Sequence, residues 1–196
     1  MQVVLATHNA HKVAEIQAII ARVRPDIEVI SYDGPEPVED GITFAENALI
    51  KARTAAAHTG LIALADDSGA SVDVLGGSPG VFSAYWAGHA KDDAANMLLL
   101  LDQLSDIKDP HRTAQYNSTI ALVTPAGVEH TVEGVWPGRL ATAPRGAGGF
   151  GYDPIFIPDG QDGDERTVAE WTAEEKNAVS HRARAFVALE PLLAGL

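Results

Sequence analysis

The sequence predicts an α/β protein, and three patterns along the chain support this class. Apolar runs at residues 2–6 and 61–65 have the length of buried strands. Residues 113–124 alternate between the two faces of a strand, as expected when one face is buried. Segments with helical periodicity and capping residues lie between these runs. The 196 residues suffice for one substantial core, so we expect a single domain over residues 1–196.

The composition is typical of a globular protein. Hydrophobic residues make up 46% and charged residues 21% of the chain. Its apolar stretches are far shorter than the roughly 18 residues that a membrane span needs, so no membrane partner is expected. The chain enters a strand-like run without a basic segment, so no signal peptide is expected. The lack of cysteine excludes disulfides and thiolate metal sites and favours a cytoplasmic protein.

The net charge of −13 narrows the choice of partner. Such a surface repels a nucleic-acid backbone, so extended nucleic-acid binding is not expected. A small anion held by clustered lysines and arginines, with a divalent cation to offset the acidic residues, remains compatible with this charge.

The first strand leads into a helix that Asn9 is placed to cap. The apolar stripe of this helix consists of Val13, Ile16, Ile20 and Val23. A strand, turn and helix in this order point free backbone N–H groups at the space above the strand, which suits a phosphate. Lys12 lies in the first turn, where a cation opposes the helix dipole and is explained by a bound anion. Capping by Thr7 and Asn9 with a solvated Lys12 explains the segment equally well.

A second helix is predicted to begin at the capping box of Thr43 and Glu46 and to run to about His58, where Gly60 ends it. Its alanines, Ala48, Ala52, Ala55 and Ala56, keep it slim enough for close packing. Lys51 lies on this helix, where a lysine is solvated by default.

Asp66 and Asp67 follow the apolar run 61–65, which we expect to stop on these carboxylates and a turn at Ser68 and Gly69. A buried strand that ends in acidic residues can present a metal ligand or a general base. Asp, Ser and Gly are also ordinary turn residues. The stretch alone leaves both interpretations open.

The other elements follow from the same signals. Strands are predicted at residues 27–31, 128–136 and 155–157, a helix at 92–104, and loops at 33–41, 76–88 and 159–165. Pro125-Ala126-Gly127 separates two alternating strands, which predicts a β-hairpin. The last helix is predicted to open at the capping box of Thr172 and Glu175 and to end near Pro191.

A glycine-rich loop at residues 144–154 surrounds Phe150. Its backbone can approach a ligand closely while the ring offers a flat face. Residues 146–151 superficially match a dinucleotide-binding fingerprint, but they precede a strand instead of following one, so that match fails. No Walker loop or common protease or esterase signature is present.

The candidate residues together suit a nucleoside triphosphate. Phosphoryl chemistry needs charge neutralisation by cations and by magnesium held on carboxylates. The cations are Lys12, Lys51, Lys176 and Arg182, the acids are Glu39, Asp66 and Asp67, and Phe150 supplies a ring for a base.

Five segments carry the most specific signal in the chain. They are Ala6-Thr7-His8-Asn9-Ala10-His11-Lys12, Thr43-Phe44-Ala45-Glu46-Asn47-Ala48, Ala65-Asp66-Asp67-Ser68-Gly69, Gly148-Gly149-Phe150-Gly151-Tyr152-Asp153-Pro154 and Lys176-Asn177-Ala178-Val179-Ser180-His181-Arg182. In this order they resemble the successive motifs of the inosine triphosphate pyrophosphatase family, whose members remove non-standard purine nucleotides. The match spans nearly the whole chain.

The resemblance implies an elongated mixed β-sheet with flanking helices, two lobes around a central cleft, and a homodimer. It implies that residues 1–196 form a single nucleotide pyrophosphatase domain. The expected reaction is the Mg²⁺-dependent hydrolysis of a non-canonical purine nucleoside triphosphate, such as ITP, dITP or XTP, to the monophosphate and pyrophosphate. Such an activity cleanses the nucleotide pool.

The resemblance also assigns roles to residues. Asp67 is the expected catalytic acid and a magnesium ligand, with Glu39 as a second acid near the metal. The expected triphosphate contacts are Thr7, His8, Asn9, Lys12, Lys51 and Ser68. The expected contacts at the base and sugar are Phe150, Gly151, Tyr152, Asp153, Lys176, His181 and Arg182, with Phe150 stacked on the purine.

From these roles we expect a water activated by Asp67 to attack the α-phosphorus. A donor such as Arg182 or His181 aimed at purine O6 would reject adenine, because mismatched buried hydrogen bonds discriminate by about 10⁴-fold. Exclusion of GTP would depend on its 2-amino group, near Asp153 or near backbone carbonyls that lack a free acceptor. The alternatives are a pyrophosphatase for other modified nucleotides and a non-catalytic nucleotide sensor.

The loop 76–88 departs from the family pattern. Tyr85 stands where an arginine is more common, and Trp86 replaces a smaller aromatic, which puts a charged contact from this loop in doubt. Because the loop also carries Phe82, we expect it to pack on the body of the protein or on a second subunit.

Overall fold

The computed structural model describes residues 1–194, apart from the side chain of Val23. Within this range the strands are β1 (Gln2–Leu5), β2 (Glu28–Ser31), β3 (Ile62–Val72), β4 (Thr113–Val123), β5 (Glu129–Leu140) and β6 (Phe156–Pro158). The α-helices are α1 (Ala10–Val23), α2 (Phe44–Thr59), α3 (Asp93–Gln103), α4 (Ala173–Val179) and α5 (His181–Ala194). Across the described chain, no helix combines the length and apolar character that a membrane crossing requires.

The six strands form one sheet in the order β2-β1-β3-β4-β5-β6. β1 pairs in parallel with β2 and with β3, and β5 pairs antiparallel with β6. The sheet is therefore mixed, and the predicted α/β class with a mixed sheet and flanking helices is confirmed. By contact density the chain divides into two compact units. The first comprises Met1–Asp67, Ser118–Gly134 and the chain from Asn177 on, and the second comprises Ser68–Asn117 and Val135–Lys176. The single domain stays a prediction.

The first unit has two apolar layers, which follow from the alternation of side chains along its strands. Val3, Leu5 and Leu64 pack with α1 and α5. The intervening residues, Val4, Ala6, Ala63 and Ala65, pack with the alanine face of α2. By the same alternation, Asp66 continues the row of Leu64 toward α1 and α5, whereas Asp67 continues the row of Ala65 toward α2.

The second unit has an aromatic core. The rings of Tyr116 and Phe156 stack with centroids 4.1 Å apart, and Trp136 packs edge-on to Phe156. Arg112 is buried in this unit, and its guanidinium donates four hydrogen bonds to backbone carbonyls. Because all four acceptors are backbone carbonyls just after α3 or at the end of β5, Arg112 has a structural role.

The predicted caps of the first two helices are confirmed. The Asn9 side chain accepts the Lys12 N–H at the start of α1. Thr43 and Glu46 form the capping box of α2, and Gly60 ends this helix with a φ of 69°. β4 and β5 are neighbours in the sheet and are joined through Gly127, at a φ of 83°, as the hairpin prediction requires.

The expected stop of the strand at Asp66 is wrong. β3 continues for 11 residues to Val72, so Asp66 to Gly69 lie inside a strand. Ser83 explains in part why the strand continues past Gly69, because its hydroxyl accepts the Ala70 N–H and lies where a Cβ on Gly69 would be. The glycine permits close packing of the 3₁₀ helix Gly80–Tyr85 on the strand and does not form a turn.

The expected single helix after residue 172 is also wrong. The segment forms α4 and α5, which are separated at Ser180. The Ser180 hydroxyl accepts the Ala183 N–H at 3.3 Å, which caps the new helix. α5 passes through Pro191 to Ala194, because Leu189 and Leu193 are buried on either side of the proline.

The aromatic loop packs in part as expected. Trp86 contacts the core of the second unit, and its indole N–H donates to Gln103 at 3.0 Å. Phe82 is 55% exposed, and its ring contacts Tyr85 edge-on.

Candidate active site

Asp66 is the centre of a buried ion-pair network in the first unit. Its carboxylate lies 3.0 Å from Lys12 Nζ and 3.3 Å from Arg182 Nε, and it accepts the Ser118 hydroxyl at 2.6 Å. Arg182 also donates to Glu15 at 2.6 Å. Burial opposes ionisation of Asp66, but the two cations outweigh it, so the pKa of Asp66 lies well below its ordinary value. The network balances two acids against two cations.

Asp67 lies in a second network on the α2 side of β3. Lys51 Nζ is 2.6 Å from Asp67 Oδ1 and 2.9 Å from Glu39 Oε2, so one ammonium serves two acids. Burial raises the pKa of Asp67 to about 6, against the attraction of Lys51. The negative charge of Glu39 acts in the same direction as burial on Asp67. Two acids and one lysine leave this network with a net negative charge when all are ionised.

The turn between β1 and α1 is built by Thr7 and Asn9. Thr7 Oγ1 accepts the Asn9 N–H at 3.1 Å, and Asn9 Oδ1 accepts the Lys12 N–H at 3.1 Å. His8 pairs with Glu36 at 2.8 Å and stacks on Tyr32. Burial lowers the pKa of Lys12, and Asp66 partly offsets this effect. The turn therefore brings a desolvated lysine to the N-terminus of a helix, which is the arrangement that binds anions.

The second unit groups three of the predicted base contacts. Lys176 Nζ lies 2.8 Å from Asp153 Oδ2 and 4.6 Å from the centroid of the Phe150 ring. Asp153 also accepts the Phe150 N–H at 3.0 Å and the Tyr116 hydroxyl at 3.1 Å. A buried carboxylate therefore holds both the backbone at Phe150 and the cation that lies over its ring.

The remaining predicted residues have other surroundings. The Gly151 N–H donates to Asp93 at 3.0 Å, and the buried Tyr152 hydroxyl donates to the Ser83 carbonyl at 2.8 Å. Ser68 lies half-buried in β3. His181 is buried at the start of α5.

Four residues in these networks were missed by sequence reasoning. Glu15, Ser118, Tyr116 and Asp93 contact predicted residues but belong to none of the motifs. Glu15 could have been found, because it lies one helical turn from Lys12 on α1. The other three contacts join residues 37 to 58 positions apart and leave no local signal.

The donor set of Asp67 and Glu39 fits a hard divalent cation. Among the residues that the structure describes, no group of three or more His, Asp or Glu side chains converges as a metal site. Magnesium does not need such a cage, because it is commonly held by one or two carboxylates together with water and substrate phosphates. The net negative charge of the Asp67 network supplies the charge that such a cation would neutralise.

Comparison with known proteins gives a consistent result over the whole chain. The model of the Ham1 family matches residues 3–192. The dITP/XTP pyrophosphatase of Leifsonia xyli subsp. xyli is 59% identical over 196 residues, covering 100% of this chain and 97% of that protein. The structure of a HAM1 protein from Coxiella burnetii is 41% identical, with a TM-score of 0.86 and 100% coverage of both chains.

A second solved structure is also similar to this chain. The nucleoside-triphosphatase / dITP/XTP pyrophosphatase from Mycobacterium abscessus is 50% identical and has a TM-score of 0.77, covering 97% of this chain and 100% of that chain. The motif resemblance, the family match and the structural similarity agree from the first strand to the last helix. The chain belongs to the Ham1 family.

Proposed function

We propose that this protein hydrolyses non-canonical purine nucleoside triphosphates such as dITP, XTP and ITP to the monophosphate and pyrophosphate. The observation that carries the proposal is the pairing of the buried Asp67 and the more exposed Glu39 with one lysine, Lys51. It occurs in a chain 59% identical to a dITP/XTP pyrophosphatase. The activity would remove damaged nucleotides from the nucleotide pool.

Asp67 and Glu39 are the proposed magnesium ligands. Ham1-family nucleoside triphosphate pyrophosphatases generally need a divalent metal, and the choice of Mg²⁺ is supported by the all-oxygen donor set. When bound, the cation would neutralise charge on the phosphates. Lys51 is already bonded to both acids, so it would hold them in place before the cation arrives.

Asp67 is the proposed general base. Its carboxylate would accept a proton from the water that attacks the α-phosphorus, and pyrophosphate would leave. Without a bound cation the pKa of Asp67 is raised to about 6, so the carboxylate is ionised near neutral pH and is more basic than an ordinary aspartate. Lys12 and the N-terminus of α1 would bind the triphosphate, with Thr7, His8, Asn9, Lys51 and Ser68 as further contacts.

Phe150 is the proposed stacking surface for the purine. Its backbone is fixed by Asp153, which also holds Lys176. Gly151, Tyr152, Asp153 and Lys176 are the other proposed contacts in the second unit, and His181 and Arg182 are those from α5. His181 and Arg182 are both candidates for the donor to purine O6, and Arg182 also donates to Asp66 and Glu15.

We also propose a single domain, a homodimer and a cytoplasmic location. One family model over residues 3–192 supports the single domain. The lack of cysteine supports a reducing compartment. Sedimentation at several protein concentrations would test the dimer, and a monomer at every concentration would contradict it.

The test of the reaction is a substrate panel. The protein is incubated with ITP, XTP, dITP, ATP and GTP in the presence of Mg²⁺, and pyrophosphate and orthophosphate are both assayed. We expect pyrophosphate from the first three and at most slow release from ATP and GTP. Equal rates on all five would contradict the selectivity, and orthophosphate alone would contradict the assigned bond. Tight binding without turnover would instead indicate a nucleotide sensor.

A further inference from the structure

The segment that carries Glu39 has no regular secondary structure. It connects β2 to α2, and within the described chain no backbone–backbone hydrogen bond involves residues 33–42. Val38 and Ile42 on this segment are 80% and 84% exposed. A segment with so few buried contacts opens easily. The position of Glu39 therefore depends on side chains outside the segment: Lys51 binds its carboxylate, and Glu46 Oε2 accepts the Ile42 N–H at 2.8 Å.

α2 holds the C-terminal end of the segment through Asn47. Asn47 is 2% exposed, and its Oδ1 accepts the Gly41 N–H at 2.9 Å. A Cβ on Gly41 would lie 2.7 Å from this oxygen and 2.6 Å from the Cβ of Glu46. The backbone at Gly41 therefore sits so close to the helix that only glycine fits.

Asn47 and Lys51 are four residues apart and so lie on the same face of α2. Lys51 binds the Glu39 carboxylate, and Asn47 binds the backbone two residues further along. Helix α2 thus contacts Glu39 in two ways: Lys51 binds its carboxylate, and Asn47 binds the backbone of the same segment. At the other end of the segment, the Tyr32 hydroxyl donates to the Pro35 carbonyl at 2.9 Å.

We propose that Asn47 is a positioning residue that holds Glu39 in place for metal binding through its hydrogen bond to Gly41. This inference rests on the proposed role of Glu39 as a metal ligand. In this proposal Asn47 acts through Gly41 and Glu39 and is not itself a ligand of the metal. Without the bond, the segment leaves the helix more often, and the second carboxylate is less often beside Asp67.

The first test measures Mn²⁺ binding to the nucleotide-free protein by electron paramagnetic resonance, and the Mg²⁺ concentration that gives half-maximal turnover. Asn47→Ala is expected to weaken Mn²⁺ binding and to raise the Mg²⁺ requirement by about 10-fold, as the loss of an outer-shell partner does. Turnover at saturating Mg²⁺ should stay within about twofold, because Asp67 is unchanged.

Three matched variants separate positioning from a general structural effect. Gly41→Ala breaks the same contact from the exposed side, so it should reproduce the metal defect even if Asn47→Ala folds poorly. Asn47→Asp keeps an acceptor for the Gly41 N–H and should bind Mn²⁺ about as well as the wild type, without the roughly tenfold loss expected of Asn47→Ala. Val38→Ala changes an exposed residue of the same segment and should change neither readout. Normal Mg²⁺ dependence in Gly41→Ala would overturn the proposal.

A double-mutant cycle with Glu39→Gln tests the route of the effect. If Asn47 acts through Glu39, adding Asn47→Ala to Glu39→Gln should cause no further loss of Mn²⁺ binding. Additive losses would show that Asn47 acts otherwise and would overturn the inference. If Glu39→Gln alone leaves the metal dependence unchanged, the proposed role of Glu39 as a metal ligand is wrong. This outcome can be told apart from additive losses in the double variant, which overturn only the role of Asn47.

Discussion

Asp66 and Asp67 are adjacent in sequence, yet the pKa values of their carboxylates are shifted in opposite directions. The pKa of Asp66 is lowered because Lys12 and Arg182 outweigh its burial. The pKa of Asp67 is raised to about 6 because burial outweighs the attraction of Lys51, which it shares with Glu39. β3 separates the pair by pointing consecutive side chains to opposite faces. One face therefore carries a permanent charge and the other a group that can exchange a proton.

Replacing Asp67 by asparagine should lower turnover by about 10²–10⁴-fold, the range for loss of a general base. The fold should persist, because the amide has the same shape and Lys51 keeps Glu39 as a partner. Pyrophosphate release from dITP measures the first effect, and urea unfolding the second. Asp73→Asn, an exposed acid just after β3, is the control and should remain active. Wild-type turnover in Asp67→Asn would remove this residue from its role.

The pH dependence of turnover should follow Asp67. Its folded-state pKa of about 6 lies above the ordinary 3.8, so the base is protonated in acid and turnover should rise with pH through about 6. Added Mg²⁺ should move the midpoint to lower pH, because a cation stabilises the ionised carboxylate. Rate profiles at limiting and saturating Mg²⁺ measure both effects. A midpoint that is independent of metal would contradict the shared site.

The raised pKa of Asp67 also makes the stability of the fold depend on pH. Between about pH 4 and pH 6 the folded protein binds more protons at Asp67 than the unfolded chain, so the contribution of Asp67 to stability falls as pH rises. Asp67→Asn should flatten this part of the curve. Urea unfolding at several pH values without metal provides the measurement, and parallel curves for both proteins would contradict the shift.

Asp66 should matter more for stability than any exposed acid. Asp66→Asn removes the carboxylate charge that Lys12 and Arg182 share, and loss of one partner from a buried ion network costs about 3–5 kcal/mol. The free energy of unfolding in urea measures the loss. Asp26→Asn breaks an exposed pair with Arg24 and should have little effect. Similar losses in the two variants would show that the Asp66 network is not a main source of stability.

Phe150 should affect substrate binding more than chemistry. Phe150→Leu removes the flat ring but keeps an apolar side chain, so KM for dITP should rise about tenfold with kcat nearly unchanged. Steady-state kinetics measure both constants. Phe82→Leu, at a ring that is 55% exposed, is the control and should behave like the wild type. A fall in kcat at constant KM would place Phe150 in the chemical step instead.

The sequence predicted the elements whose signals are local. Asn9, Thr43 and Gly60 specify helix ends through neighbouring residues, and all three have the predicted roles. The expected stop at Asp66 failed because polar residues in sequence imply exposure, whereas Asp66 is buried by partners up to 116 positions away. The break at Ser180 was missed because a serine can also be tolerated inside a helix.

The predictions for the candidate site divide in the same way between local signals and contacts that depend on the fold. Lys12, Lys51 and Asp67 were identified from motifs, but the pairing of Lys51 with two acids became visible only in the structure. Arg182 was expected at the base, and its bonds to Asp66 and Glu15 depend on the packing of α1, β3 and α5. Asn47 was seen only as part of a motif, because its contact to Gly41 depends on the path of an irregular segment.

The alanine face of α2 sets the reach of Lys51. Ala48, Ala52, Ala55 and Ala56 pack in one cluster with Ala6, Ala63, Ala65 and Ala121, so helix and sheet meet largely through small side chains. Because the helix lies this close to the sheet, the side chain of Lys51 on α2 is long enough to reach Asp67 on β3. Larger side chains at these alanines would lift the helix and draw the ammonium away from the acid. The thickness of this alanine layer thus sets the distance between Lys51 and Asp67, and small substitutions in the layer would change that contact without touching either residue.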